Sequence, residues 1–349
     1  MAIREGGDRE HTRPARRLGH RLHVAGKTTR CHTVAAGAVR CVRHRFPHAA
    51  DSMRLAVSIA FAVLLAPLEA AAGAWTQPAG TLWAKLAATT QTSDEFLARD
   101  GAVLPDGTVV EPGDARPYDE GGRSLARELW FDLELGVTDR LTLGLQIPWK
   151  RLEFEDRIET LRSWGWGDLT TRARFALTTE ETRVTVRGAW KAPTGRFSTR
   201  TDRLPIGENQ HDLELGLQVG RSLGRPMSWL NLEASRRFRF ADGELDFDPG
   251  DEWFGAVDGG FALDASGRVA LYARWDFLRG DDESLLFFAP NTALARDLDR
   301  VALAVLIDAG PVLLEAGGAR VLRGRGYPTA VTWSLGVSRR IGLARPERP

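Results

Sequence analysis

After residue 52 this chain of 349 residues contains no cysteine; both of its cysteines, Cys31 and Cys41, precede that point. A thiol-free body suits a chain that crosses an oxidising compartment unfolded. Nine residues separate Cys31 from Cys41 in an Arg/His-rich stretch, a spacing that fits no zinc pattern. Long apolar runs are also missing: no segment after Trp75 approaches 18 consecutive apolar residues, which excludes membrane-spanning helices. Histidine is nearly absent from the body, where His211 stands alone, and no G-x-S-x-G turn occurs. A Ser–His hydrolase therefore has one candidate base and no identifiable serine, and ranks as a minor alternative to a non-enzyme. Gly165-Trp166-Gly167 lacks the Lys-Ser/Thr of a phosphate loop. No cofactor and no metal are expected. The acidic group Asp242, Glu244, Asp246, Asp248, Asp251 and Glu252 fits no EF-hand spacing and reads as a solvated loop.

What is present is unevenly distributed. Residues 1–52 hold about 11 of the 47 Lys+Arg, 4 of the 46 Asp+Glu and six of the seven His, leaving the remainder net acidic, near −6, with all eleven Trp. That balance gives no reason to expect a nucleic-acid partner. From Met53 a short basic start (Arg54) is followed by an apolar run, Leu55 to Ala66, and by small residues ending Ala72-Gly73-Ala74. These are the three regions of a secretory signal peptide, and the apolar run is too short to span a bilayer as a helix. Residues 53–74 are thus expected to be a cleaved signal peptide, and 1–52 an over-long gene start or a disordered basic extension.

Residues 75–349 read with a period of two. Leu125, Leu129, Phe131, Leu133, Leu135 and Val137 share one face, and Glu128, Trp130, Asp132 and Glu134 the other. The same alternation runs through 141–151, 167–177, 183–191, 212–223 and 268–278. Each run has the length of a tilted transmembrane strand rather than that of a soluble sandwich. Short turns near 138–140, 178–182, 224–227, 264–267 and 309–311 alternate with longer connections at 91–124, 152–166, 193–211, 241–251, 279–299 and 324–328. The expected fold is an all-β, antiparallel transmembrane barrel of about 12 strands with short periplasmic turns and long extracellular loops. The count is least secure in 279–323, so ten or fourteen strands remain open. Trp83, Trp149, Trp190, Trp229, Trp253, Trp275 and Trp333 fall in these strands, many near an end where aromatic girdles sit, whereas Trp130 faces inward.

Several motifs then occur in order: Gly136-Val137-Thr138-Asp139-Arg140-Leu141, Ile147-Pro148-Trp149, Trp164-Gly165-Trp166-Gly167-Asp168-Leu169, Ala192-Pro193-Thr194-Gly195, and Leu204-Pro205-Ile206-Gly207 with Gln210-His211-Asp212. This series resembles the outer-membrane transporter family labelled for the meta-cleavage pathway of phenol degradation. The resemblance covers roughly 125–223, with weaker similarity to 341. It implies passage of small aromatic or apolar molecules and assigns no binding residue. Barrels of this kind resemble one another in ending on an aromatic residue. Here the final strand, about 329–343, is followed by Ala-Arg-Pro-Glu-Arg-Pro.

The inward faces carry the candidate site. Lumen-lining residues are expected at Glu128, Asp132, Glu134, Arg172, Arg174, Arg183, Arg187, Lys191, Asp212, Glu214 and Arg274. Glu233, Arg237, Arg239, Arg268 and Asp276 share the same parity. Acidic groups concentrate on 125–137 and basic ones on 167–191. Such rows either form a field that selects solutes or pair across a narrow interior and fill it. The leading expectation is a monomeric passive channel in the outer membrane of a Gram-negative bacterium, with lipid, a small solute and the barrel-assembly machinery as partners. The alternative is a closed barrel acting through the loops at 91–124 and 193–211.

Overall fold

The computed structural model describes residues 22–24, 27–33, 39–43, 73–99, 101–104, 107–197, 203–241, 247–281, 284–285 and 296–343. The chain divides into two units, Met1–Ser52 and Met53–Pro349. In the first, Leu22–Val24, Lys27–Thr33 and Val39–Arg43 pair antiparallel in that order, with Cys31 opposite Cys41. Residues 53–72 of the expected signal peptide lie outside the described residues.

The second unit is a closed barrel. Its wall is β1 (Thr81–Ser93), β2 (Arg123–Thr138), β3 (Leu141–Glu155), β4 (Thr160–Trp166), β5 (Leu169–Ala176), β6 (Thr182–Ala192) and β7 (Asp212–Ser222). It continues through β8 (Trp229–Arg239), β9 (Glu252–Ala262), β10 (Val269–Gly280), β11 (Arg296–Asp308), β12 (Leu313–Arg325) and β13 (Thr332–Gly342). Every pairing is antiparallel, and β13 returns to β1 with Trp333 opposite Thr90 and Gly342 opposite Thr81. Because β4 and β5 share one position beside β3, the barrel has 12 strands, the number the sequence suggests. Arg296–Asp308 fills the uncertain stretch of 279–323 with one strand. Among the described residues there is no α-helix, only a short 3₁₀ turn at Asp119–Gly121.

The wall is inverted relative to a soluble barrel. On β2, Leu129, Phe131, Leu133, Leu135 and Val137 are exposed while Glu128, Asp132 and Glu134 are buried. Leu143, Leu145, Phe175, Val186, Leu213, Leu215, Leu217, Leu271 and Leu303 continue the outward apolar band. Period alone leaves soluble and membrane barrels indistinguishable; the polarity of the two faces decides, since only lipid solvates such an exterior. The girdle is asymmetric. Trp164, Trp166, Trp190, Trp253, Trp275 and Trp333 project outward in the half nearer the long loops, and Phe175 and Phe261 mark the opposite rim. Trp83 and Trp229 correct the girdle expectation. Trp83 is buried inside, and Trp229 turns inward to donate its indole N–H to Asp258 at 3.3 Å.

The connection expected at 152–166 is instead a strand hairpin, β3–β4, that runs past the membrane band. Leu152, Phe154 and Leu161 point inward there and are buried. Between β4 and β5 the register against β3 slips by one residue: Trp149 pairs with Trp166, but Gln146 pairs with Thr170. This is a β-bulge. Pro148 has no N–H to continue the ladder on this side, while its carbonyl accepts from Gly167 N–H at 2.8 Å. Even-numbered residues therefore face out in β4 and in from Asp168 onward, where Arg172 and Arg174 reach the lumen.

Candidate functional site

The lumen holds a cavity of about 220 Å³ in the upper half of the barrel. Eight cationic side chains line it (Lys150, Arg172, Arg187, Lys191, Arg237, Arg239, Arg274 and Arg300), with five carboxylates (Asp168, Glu208, Asp212, Glu214 and Glu252). Trp130, Pro148, Ala189 and Phe254 supply the main apolar surface. Of the residues expected from sequence, Arg172, Arg187, Lys191, Asp212, Glu214 and Arg274 line this cavity. Asp132, Glu134 and Arg174 are buried nearer the periplasmic end, Glu128 lies behind Lys150 on the neighbouring strand, and Arg183 sits near the start of β6. Arg268 falls in the β9–β10 turn and is exposed. Lys150, Asp168, Glu208, Glu252, Arg237, Arg239 and Arg300 complete the lining. Parity places Lys150, Arg237 and Arg239 on the inner face; Glu208 lies in a loop, where period carries no information.

The charged rows pair. Arg172 meets Asp132 at 2.6 Å and Arg174 meets Glu134 at 2.5 Å. Arg187 bridges Glu214 at 3.1 Å and Glu233, while Arg237 joins Glu214 at 3.0 Å to Glu252 at 2.9 Å. Arg300 and Arg274 share Asp276, and Arg274 also meets Asp258 at 3.2 Å. Carboxylates on short stems stay against the wall while long guanidinium side chains reach past them. The surface a solute would meet is thus richer in cations than the wall behind it, where Asp132, Glu134, Glu233, Asp258 and Asp276 add negative charge.

Asp168 in the β4–β5 bulge ties the extracellular end together. Its carboxylate accepts from the backbone N–H of Gly195 at 2.9 Å and of Glu208 at 2.8 Å. Thr194 closes the knot by accepting from Leu169 N–H at 2.9 Å and donating to Gly167 O at 3.2 Å. A Cβ on Gly207 would lie 2.6 Å from Asp168 Oδ1, so the approach demands glycine. The three short motifs around Gly167, Thr194 and Gly207 are in this way one structure. Glu208, carried in by this loop, contacts Lys191 and, at 3.4 Å, Arg239. Burial works against the charge on Glu208, but Lys191 and Arg239 outweigh it and hold its carboxyl at about 2.

Both mouths are narrowed. Above the cavity Phe96, Tyr118, Phe154, Leu161, Leu204, Ile206 and Tyr327 pack into an apolar cluster, with Phe96 and Tyr118 stacked at 4.9 Å. Burial pushes the Tyr118 phenol well above its ordinary value. Below it, residues 73–79 form a strap across the periplasmic end. Ala74 donates to Asn231 at 3.0 Å and accepts from Thr185 at 2.5 Å, and Gln77 contacts Thr142, Glu134 and Arg340. Pro78 crosses Gly136, where a Cβ would stand 2.0 Å from the Pro78 carbonyl oxygen. Sequence reading leaves both devices unseen, because neither has a period.

His211 stacks on Trp190, with ring centroids 5.6 Å apart. Among the described residues its imidazole has no hydrogen-bond partner, so the orienting group of a Ser–His triad is missing there. In the acidic stretch Asp251 and Glu252 pair with Arg236, Arg237 and Arg239; Asp242, Glu244 and Asp246 lie outside the described residues.

No protein-family model matches this sequence, and no curated protein does. Among solved structures, the chain is similar to the COG4313 outer membrane channel from Pseudomonas putida F1, with 17% identity and a TM-score of 0.61, covering 79% of this chain and 100% of that one. A TodX deletion mutant, described as a monoaromatic hydrocarbon channel, gives 10% identity and a TM-score of 0.41 over 76% of this chain and 91% of that one. The NanC porin gives 8% and 0.41 over 73% and 100%. What the first of these establishes is the fold: a closed antiparallel barrel of the outer-membrane kind.

Proposed function

We propose that this chain is a passive outer-membrane channel for small solutes, whose cavity favours small anions. The observation that carries the reading is a lipid-facing barrel enclosing a cavity lined by eight cations and five carboxylates. Rings of charged side chains at close quarters select ions by sign. The phenol-pathway label of the family it resembles would make the natural solutes aromatic, and an aromatic carboxylate satisfies both that label and the guanidinium surface. On this reading residues 53–74 direct export and are removed, 1–52 take no part, the assembly machinery inserts the barrel, and it works as a monomer. Catalysis has no place in it.

The test is planar-bilayer recording of the chain from residue 75 onward, after heat-dependent gel mobility shows a folded barrel. Discrete current steps with an anion-selective reversal potential are expected. Arg187→Gln should move that potential towards cations, because Glu214 and Glu233 lose their shared counter-ion. Cation selectivity of the parent protein would refute the assignment. The second reading, a closed barrel working through its loops, is favoured by the apolar cap and the strap; a folded barrel with no steps would select it.

A further inference from the structure

The geometry points to a binding site for one phosphate-bearing lipid of the extracellular leaflet, on the outer wall where β13, β1, β2 and β3 lie side by side. The site rests on the barrel being embedded in a membrane. Two observations define it. A groove of about 690 Å³ opens on the lipid-facing surface, floored by Ala88 and extending past Leu335 to Ala316 and Gly317 on β12. Leu129 and Trp149 wall one side, Trp333 and Leu335 the other. The outward positions next below it are filled by Leu86, Phe131 and Val337. The small side chain of Ala88 therefore leaves an acyl-sized depression between Leu129 and Leu335.

The second observation is charge. At the upper end of the groove, immediately beyond the last apolar row, Arg127 stands directly opposite Arg151 across the β2–β3 pairing. Like charges in that relation repel unless an anion lies between them. On its other side Arg127 faces Thr90. Among the described residues the Arg127 guanidinium has no ion pair or hydrogen bond, and it is exposed. The nearest carboxylate to Arg151 is Glu153 at 3.8 Å, and that group is already held by Arg162 at 3.0 Å. Two guanidinium-bearing residues paired at headgroup height above an acyl groove match a lipid phosphate: guanidinium groups bind it bidentately, and the flanking Trp149 and Trp333 mark the interface.

Native mass spectrometry of the folded barrel in zwitterionic detergent, titrated with bisphosphorylated lipid A, tests this. One retained lipid per barrel is expected. The double variant Arg127→Gln/Arg151→Gln should weaken retention about tenfold or more, the scale of losing charge-assisted hydrogen bonds to one anion. Ala88→Leu, which fills the floor and leaves both arginines, should weaken it as well. Inorganic phosphate at equal concentration should not displace the lipid; displacement would reduce the site to a free-anion site and overturn the proposal. Retention unchanged in either variant, or equal retention of phosphatidylcholine, would also overturn it. These side chains face away from the lumen, so heat-dependent mobility and single-channel current should stay at parental values. That separates failure of the lipid site from failure of the channel reading.

Discussion

Single residues decide how the lumen is held. Asp168 satisfies two loop N–H groups with one carboxylate, and charge-assisted bonds of this kind contribute about 1.5–3 kcal/mol each. Asp168→Ala should therefore release the 193–211 loop, seen as faster proteolysis between Thr194 and Glu208 and as noisier, larger current steps. Glu208 gives a pH signature. Its carboxyl is depressed from an ordinary 4.5 to about 2 by Lys191 and Arg239 despite burial. A depressed carboxyl stabilises the fold above its unfolded value, and that contribution disappears as pH falls from about 4.5 towards 2. Urea unfolding of parent and Glu208→Gln should differ at pH 6, and the gap should narrow steadily as pH falls from about 4.5 towards 2; a gap that widens with acid would be the wrong sign. Arg172, Arg187, Lys191, Asp212, Glu214 and Arg274 line the cavity from the face that parity gives them, because a strand shows its inner face every second residue. Asp168 shares the parity of Arg172 and Arg174, but its role depends on loop backbone that only folding brings to it, and Glu208 lies on a loop folded inward.

At the scale of elements, two irregular segments shape the lumen. The strap is pinned by specific hydrogen bonds at Gln77 and pressed by Pro78 against Gly136. Gly136→Ala places a methyl where the Pro78 carbonyl oxygen now lies, and backbone cannot yield to it as a flexible side chain would. Larger current steps are expected from this variant with unchanged heat-dependent mobility; unaltered conductance would show that the strap does not limit flow. The β4–β5 bulge performs a different task. By inverting parity it turns Trp164 and Trp166 towards lipid and Arg172 and Arg174 towards the lumen within one interrupted strand. Alternation was legible on each side of this point, but the one-residue slip that links them depends on pairing with Pro148, which lies outside local pattern. The apolar cap was likewise hidden: Phe96, Tyr118, Leu204 and Tyr327 are scattered through stretches otherwise polar, and only folding brings them together.

For the molecule as a whole, strand number, closure and the inverted wall were legible, since lipid and lumen impose opposite polarity on alternate residues along every strand. Closure has a further consequence in time. The seam joins Thr81–Thr90 to Trp333–Gly342, segments from opposite ends of the body, and no shorter piece of chain can supply either edge. Removing residues 332–349 should leave a sheet with two unpaired edges and abolish the heat-shifted gel band, even though eleven strand positions remain. Closing so long a loop costs little more than closing one of half its length, yet it waits until everything between has paired. The seam is therefore the clock of assembly. A weakened contact across it, such as Lys85 with Glu315 at 2.9 Å beside it, would lengthen the interval during which an open edge is exposed, and its first symptom would be capture by proteases rather than a change in the finished barrel.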